Sequence, residues 1–462
     1  MADMHAGKYD LTRGNVTKTM LSFAWPFILG NLFQQLYNIT DTMIVGRFLG
    51  TGSLAAVGAA YTLMTFITSV IIGLCLGCGT IFSHLSGAGD YSKLRRCIYI
   101  SFASIGLFSI LLNAASSAFI TPILHFINIP DDILGITEDY TLIVTFGIVF
   151  IFIYNFYTSL LRSIGNSAVP LIFLIISVVL NIGLDLLFIV SFNRGIKGAA
   201  LATVISQAVA AAGLALWTWR KASHLLPARK DMKFDMGMMK EILSYSFLTC
   251  TQQSVMNFGI LMVQGLVNSF GTAVMAAFSA AVKIDSFAYM PVQDFGNAFS
   301  TFIAQNFGAG RNDRIRQGIT RAITITILFS LSVSALVVIF ARPLMLMFVS
   351  PAETEILSIG MNYLYIEGSF YIGIGVLFLL YGLFRAIGKP EVSLYLTIIS
   401  LGLRVALAYL LSATALGENG IWWSIPIGWF VADLTGIIWY KAAKRKSGIN
   451  FNQNKSRQDG EL

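Results

Sequence analysis

Two aspartates, Asp41 and Asp185, each lie deep inside a long apolar stretch of the sequence. A charged side chain at the centre of a bilayer-spanning helix costs at least about 2.5 kcal/mol on insertion scales. Such residues usually face the interior of a helix bundle, where they bind ions or carry protons. A soluble protein would have to bury both acids among leucines with no basic partner nearby. The two residues therefore predict ion or proton handling inside a membrane protein.

Polar side chains at helical spacing accompany both aspartates. Tyr37 and Asp41 are four residues apart, as are Asn181 and Asp185, so each pair shares one helix face. Gln34 lies on the first of these faces. Carboxylate, amide and hydroxyl oxygens suit hard cations, and two adjacent carboxylates can share a proton. A structural hydrogen-bond network between helices is the alternative interpretation.

The elements that must position these residues are membrane helices. Of the 462 residues, 56% are hydrophobic and only 12% are charged, whereas ordinary globular domains are about a quarter charged. A membrane span needs about 20 mostly apolar residues. Twelve segments meet this requirement: 18–45, 54–83, 93–120, 132–160, 168–192, 197–221, 241–269, 274–305, 315–341, 354–383, 391–416 and 420–441. The first is too long for a signal peptide and lacks a small-residue cleavage site, so we expect it to be retained.

The net charge of +8 follows a topological pattern and is not the signature of a nucleic-acid-binding protein. Lysines and arginines cluster in alternate loops, most densely in 220–240, while the other loops carry acids such as Asp131, Glu353 and Glu418. The positive-inside rule then places both termini in the cytoplasm, which requires an even number of spans. The location predicted is the cell membrane.

Four cysteines are present, and two of them, Cys75 and Cys78, form a CxxC inside an apolar helix. No matching set of His or Cys partners accompanies them, so we interpret them as packing residues. We expect no cofactor and no permanent metal, although Na⁺ could bind transiently at Asp41 and Asp185.

The two halves of the chain resemble each other. Four landmarks recur: Leu21-Ser22 as Leu243-Ser244, Gly87-Ala88-Gly89 as Gly308-Ala309-Gly310, Arg162-Ser163-Ile164-Gly165 as Arg385-Ala386-Ile387-Gly388, and Gly195-Ile196 as Gly420-Ile421. The offsets are 222, 221, 223 and 225 residues. Six spans in each repeat preserve the orientation, which predicts a pseudo-two-fold axis along the membrane normal and a central cleft.

The predicted fold is therefore an all-α integral membrane protein with twelve transmembrane helices in two six-helix lobes. We expect an N-lobe at 1–221, a cytoplasmic linker at 222–240, a C-lobe at 241–442 and a polar cytoplasmic tail at 443–462.

Several motifs together resemble those of the multidrug and toxic compound extrusion (MATE) transporters, over nearly the whole chain. They are residues 31–38 through Asp41 to Gly46, 161–166, Pro170 through Asn181 to Asp185, 195–203 and 305–310. The resemblance implies cation-coupled export of amphipathic, often cationic drugs. In archaeal and related members it implies a cation site in the N-lobe. The positions that match this site are Tyr37, Asp41, Asn181, Asp185 and Thr203. A seventh-helix glutamate found in some members is absent, because the matching stretch is Thr251-Gln252-Gln253.

The second half carries a different set of charges. By the repeat offset, Asp41 corresponds to Val263, Asn181 to Arg404 and Asp185 to Ala408, so we expect one coupling site per molecule. Arg404 could form a structural buried pair with Asp294 or Glu367, or these charges could handle substrate or protons. The side chains predicted to line a substrate cleft are Gln34, Asn155, Gln253, Met256, Met290, Asp294 and Glu367.

The function favoured by these features is secondary active multidrug export, coupled to inward H⁺ or Na⁺ movement by alternating access. The partners expected are small organic drugs or cations, the coupling ion and the lipid bilayer, with no nucleic acid and a monomeric protein. A flippase for lipid-linked oligosaccharides is the alternative, but such a protein usually needs more basic charge in its cavity to bind phosphates. An enzyme is disfavoured because no nucleophile–base pair or phosphate-binding loop is evident.

Overall fold

The computed structural model describes residues 10–126 and 129–446, and these residues are helical with no β-strand. The first half contains these helices: α1 Val16–Gly87, α2 Tyr91–Ala118, α3 Ile120–Phe126, α4 Asp131–Phe146, α5 Ile148–Ser163, α6 Ala168–Asp185 and α7 Gly195–Lys221. A π-helix, Leu186–Ser191, follows α6 directly, and two 3₁₀ turns, Ser223–Leu225 and Arg229–Asp231, follow α7.

The second half repeats this order of elements. Its helices are α8 Met236–Asn268, α9 Thr272–Gly308, α10 Asn312–Ile339, α11 Ala341–Leu346, α12 Thr354–Gly368, α13 Tyr371–Ala386, α14 Pro390–Ser412 and α15 Glu418–Lys446. The predicted all-α membrane fold is confirmed.

The twelve predicted spans each correspond to a helical segment of the described chain. Eight helices are long and apolar enough to cross a membrane, and ten if each of two bent pairs counts as one span. The range α1 contains two predicted spans. They are two helices joined at a kink, where the backbone of Gly50 is non-helical, with φ 81° and ψ −178°. That conformation is open to glycine and strained for other residues. The less apolar 33-residue α8 supplies the remaining segment.

The two bent pairs occupy matching places in the two halves. Helices α4 and α5 meet at an angle of 40° around Gly147, and α12 and α13 meet at 50° across residues 369–370. Glycines with positive φ also recur in pairs along the two halves, which extends the sequence repeat to the backbone. These pairs are Gly50 and Gly271, Gly89 and Gly310, Gly165 and Gly388, and Gly195 and Gly417. By backbone conformation Gly195 thus matches Gly417 and not Gly420, the match taken from the sequence.

By its contacts, the chain divides into two compact units. Among the described residues, one consists of Asp10 and the residues between 25 and 250, and the other of residues 11–24 and 251–446. This division falls inside α1 and α8, whereas the sequence-based boundary lies in the linker 222–240. The lobe assignment therefore stays a prediction. Residues 447–462 of the predicted polar tail lie outside the described residues.

The segments that precede α1 and α8 are each held by an arginine. In the second unit, the Arg314 guanidinium donates hydrogen bonds to the carbonyl oxygens of Leu11, Arg13 and Gly14 at 2.7–3.0 Å. In the first unit, Arg95 Nε lies 2.9 Å from Asp231 Oδ2. Desolvation raises the pKa of Asp231, but the Ala228 N–H and Arg95 outweigh it and hold that pKa below its usual value.

Candidate functional site

The first unit brings all five residues of the predicted cation site together. Asp41 and Tyr37 lie on α1, Asn181 and Asp185 on α6, and Thr203 on α7. Asp185 is fully buried, and Asp41 is 7% exposed. The two carboxyl groups are within hydrogen-bonding reach of each other. Carboxylates 144 positions apart in the sequence therefore form one acidic pair.

A hydroxyl and amide network surrounds this pair. The Tyr37 hydroxyl lies 3.3 Å from Thr203 Oγ1, and Asn181 Nδ2 lies 3.4 Å from the same oxygen. Turning the Asn181 amide by 180° lets its nitrogen donate to Asp185 Oδ2 at 2.9 Å, while its oxygen accepts from the Thr203 backbone N–H at 3.2 Å. The second orientation pairs donor with acceptor at both ends, so Asn181 links Asp185 to α7.

One oxygen of each carboxyl group, Asp41 Oδ1 and Asp185 Oδ1, is buried without a hydrogen-bond partner among the described residues. A buried ionised carboxylate is costly unless a counter-charge or hydrogen bonds compensate it. Two such groups in contact favour the uptake of a proton or a small cation, which would neutralise one of the charges. The arrangement is therefore suited to reversible binding of H⁺ or a hard cation through oxygen ligands.

Close packing joins two of the helices that carry this site, and a helix irregularity follows Asp185. A Cβ at Gly213 on α7 would come within 2.5 Å of the Phe173 ring on α6, so these helices approach closely where glycine permits it. Helix α6 ends at Asp185, and the π-helix begins at the next residue. The wider π turn changes which face the following side chains present, and such turns often occur at functional sites.

Tyr140 on α4 belongs to this cluster and was missed by the sequence analysis. It is 7% exposed, interacts electrostatically with Asp41 and Asp185, and its hydroxyl is within hydrogen-bonding reach of Thr203. In the sequence it follows Glu138 and Asp139 near a predicted loop, so nothing there separates it from the other aromatic residues. Only the packing of α4 against α7 reveals it.

The second unit contains another acidic pair, formed by Asp285 on α9 and Glu367 on α12. Both side chains are buried, at 4% and 3% exposed, and they are within hydrogen-bonding reach of each other. Arg404 on α14 is close enough to attract both carboxyl groups electrostatically. Of the two partners considered for Arg404, Glu367 is attracted to it electrostatically. Asp285 was overlooked, although a buried acid in a long apolar helix was the signal used for Asp41.

The remaining residues predicted to line a cleft fall into separate places. In the first unit, Gln34 Nε2 lies 3.5 Å from Asn38 Oδ1, and Asn155 Nδ2 donates to the Ile151 carbonyl of its own helix. In the second unit, Gln253 and Met256 line one pocket. Met290 is half-buried and Asp294 is buried, both on α9. Their predicted role in lining a substrate cleft stays a prediction.

The cysteines lie in the helix core of the first unit. Cys75, Cys78 and Cys97 are buried, and the Cys78 thiol donates to the Cys75 carbonyl at 3.1 Å. Within the described ranges 10–126 and 129–446, no group of three or more His, Cys, Asp or Glu side chains could hold a metal ion.

Comparison with known proteins gives consistent results over most of the chain. The model of the MatE family matches residues 26–187 and 246–410. The "Probable multidrug resistance protein YpnP" of Bacillus subtilis is 30% identical over 446 residues, covering 96% of this chain and 99% of that protein. The "Multidrug export protein MepA" of Staphylococcus saprophyticus is 24% identical, covering 93% of this chain and 94% of its own length. A crystal structure of the Vibrio cholerae MATE transporter VcmN has the same fold, with a TM-score of 0.87, 24% identity and coverage of 94% and 98%.

Proposed function

The chain belongs to the MatE family of multi-pass membrane transporters, and on that basis we propose that it is a secondary active multidrug exporter. It moves amphipathic, often cationic compounds out of the cell, and inward movement of H⁺ or Na⁺ drives this export. Relatives named as multidrug resistance or export proteins support the proposal. The observation that carries the coupling mechanism is the buried contact between Asp41 and Asp185 with one unpartnered oxygen on each.

Each polar group of the site has a part in the proposed coupling. Asp41 and Asp185 bind the coupling ion, and Asn181 and Thr203 hold Asp185 in place. Tyr37 supplies a hydroxyl beside Thr203. Neutralising the acidic pair removes a charge from the apolar interior, so the ion-bound form can repack its helices at lower cost than the charged form. Alternating access then follows from an equilibrium between packings that ion binding shifts.

The proposed setting is the cell membrane, with both termini and the linker 222–240 in the cytoplasm. The two lobes extend over 1–221 and 241–442, and the protein acts as a monomer. The excess of Lys and Arg in alternate loops supports this orientation.

Conversion of either aspartate to its amide tests the coupling site. Asp41→Asn and Asp185→Asn preserve volume but remove the group that binds a proton or ligates Na⁺, so both should abolish dye export from cells. Asp139→Asn is the matched control, because Asp139 is a half-exposed aspartate of the same half, paired with Lys197 at 3.0 Å. Export should remain near the wild-type rate in this variant.

Inverted membrane vesicles distinguish the two candidate ions. A pH gradient and a Na⁺ gradient are imposed separately, and dye uptake is followed for the wild type and each variant. One gradient should drive uptake by the wild type and neither should drive it in the aspartate variants. Wild-type transport by Asp41→Asn or Asp185→Asn, at normal amounts in the membrane, would show that coupling lies elsewhere.

A further inference from the structure

A small polar pocket lies within the second unit, and its lining includes no residue of either acidic pair. Its lining includes the amides Gln252, Gln253, Gln293 and Asn297, together with the guanidinium of Arg385. No acidic side chain lines it. A pocket lined by one cation and four neutral amides attracts an anion, because a guanidinium in a low-dielectric interior has a large uncompensated field.

Arg385 is almost fully buried, at 4% exposed. Its Nε donates to Ser300 Oγ at 3.4 Å and its Nη2 donates to Asn297 Oδ1 at 3.1 Å. Both partners are neutral, and none of the ion pairs among the described residues includes Arg385. Guanidinium has five N–H donors, so those on Nη1 and one on Nη2 remain. These form a fork at the tip of the side chain, the geometry that binds a carboxylate through two parallel hydrogen bonds.

Glycine contacts fix this arginine at the pocket. A Cβ at Gly382 on α13 would lie 2.7 Å from the carbonyl oxygen of Gly296 on α9, so the two backbones nearly touch there. Arg385 follows Gly382 by about one helical turn, and Asn297 and Ser300 follow Gly296. The close approach therefore places the guanidinium among side chains of α9, and those contacts restrict its movement.

The equivalent arginine of the first half has a different environment. Arg162 matches Arg385 in the internal repeat, and its guanidinium lies 3.7 Å above the ring of Phe27. An aromatic face is a cation–π partner for a guanidinium. At the matching position of the second half, Arg385 donates a hydrogen bond to the Asn297 amide oxygen and lines a pocket with three glutamine amides.

We propose that this pocket binds the carboxylate group of an amphipathic aromatic substrate. The inference rests on the proposed export function and extends it to compounds that carry an anionic group as well as a cationic one. The pocket leaves about 30 Å³ for the centres of water-sized groups. By this measure a single water needs about 10–15 Å³. The space therefore fits a carboxylate, while Phe378, Tyr381 and Met256 at its lining offer ring and thioether contacts for the adjoining body.

Two dyes that differ at one group test the proposal. Rhodamine 110 carries a free carboxylate, and rhodamine 123 is its methyl ester. Fluorescence polarisation with the purified full-length protein measures the dissociation constant of each dye. Arg385→Met should weaken rhodamine 110 binding by about 10- to 100-fold, the range expected for hydrogen bonds to a charged group, and rhodamine 123 binding by less than about threefold.

Further variants protect the test against simple misfolding. Gln253→Glu retains Arg385 but places a competing carboxylate in the pocket, so it should also remove the preference for rhodamine 110. Arg162→Met is the control from the matching position of the first half, and the ratio of the two dissociation constants should stay at its wild-type value. Thermal unfolding and size-exclusion profiles establish that each variant is folded.

The outcomes separate this inference from the proposed function. Equal loss of both dyes in Arg385→Met, or an unchanged dye ratio in Gln253→Glu, overturns the carboxylate pocket even if rhodamine 123 is exported normally. Displacement of rhodamine 110 by inorganic phosphate but not by benzoate overturns the choice of a carboxylate. Failure of wild-type vesicles to transport either dye under both ion gradients counts against the export function itself.

Discussion

Removing Arg404 is the most informative perturbation of the second acidic pair. In the native protein, its guanidinium attracts two buried carboxyl groups, those of Asp285 and Glu367. Arg404→Met leaves a side chain of similar length but deletes the charge, so both acids, which are at most 4% exposed, lose their nearby cation. Breaking a buried ion pair by removing one partner costs about 3–5 kcal/mol.

That cost translates into a measurable change in melting temperature. In units of about 150–250 residues, 1 kcal/mol shifts the midpoint by about 2–4 °C. Arg404→Met should therefore lower the midpoint of the purified protein by about 6–20 °C. The double variant Arg404→Met/Glu367→Gln removes one of the two acids that lose their cation and should recover part of the loss, with efflux preserved if this cluster is structural.

Companion variants decide which acid is the partner. Recovery with Asp285→Asn in place of Glu367→Gln assigns the pairing to Asp285, and recovery with Asp294→Asn assigns it to the other alternative considered from the sequence. A single Arg404→Met variant with an unchanged midpoint would refute the reasoning that this arginine compensates buried acids. A folded double variant without efflux would refute the structural role and add a second functional site to the one proposed at Asp41 and Asp185.

Two further predictions address topology and the cation site. A cysteine placed at Asp131 in a cysteine-free background should react with a membrane-impermeant thiol reagent in intact cells, while one placed at Ala228 should react only after permeabilisation; the reverse pattern would invert the orientation. Tyr140→Phe removes one hydroxyl beside Thr203 and should raise the half-saturating concentration of the coupling ion by about 2- to 10-fold, as measured from initial efflux rates, and an unchanged value would exclude Tyr140 from the site.

The helices and the first acidic pair could be predicted because each leaves a local signal. A span is recognisable from about 20 apolar residues, and an acid within it stands out against that background. The spacing of four residues placed Tyr37 beside Asp41 and Asn181 beside Asp185 without any tertiary information. The resemblance then supplied Thr203, which the spacing alone could not connect to the aspartates.

The parts that were missed depend on which helix faces meet. Tyr140 joins the candidate cation site only because α4 packs against α7, and one-dimensional periodicity does not reveal such a pairing. The same is true of Arg385, whose contact with Asn297 requires the glycine approach between α9 and α13. By contrast, the spans predicted at 18–45 and 54–83 are separated in the structure by the non-helical Gly50, whose φ is 81°.

The two halves use equivalent scaffolds for different chemistry. Gly165 and Gly388 adopt matching left-handed conformations after Arg162 and Arg385, yet one arginine lies over a phenylalanine ring and the other faces amides. Where the first half has Asp185, the second has the fully buried Ala408.

A duplicated scaffold permits this divergence, because each half keeps the glycines and apolar faces that maintain helix packing while its polar residues change. An exporter must bind an inorganic cation and an organic compound of varied shape. If each is bound by a different half, the organic substrate need not occupy the two carboxylates that the coupling ion requires. Coupling must then arise from the shared conformational equilibrium rather than from direct competition at one site. In Asp41→Asn, rhodamine 110 should accordingly still bind saturably, while export of the dye is lost.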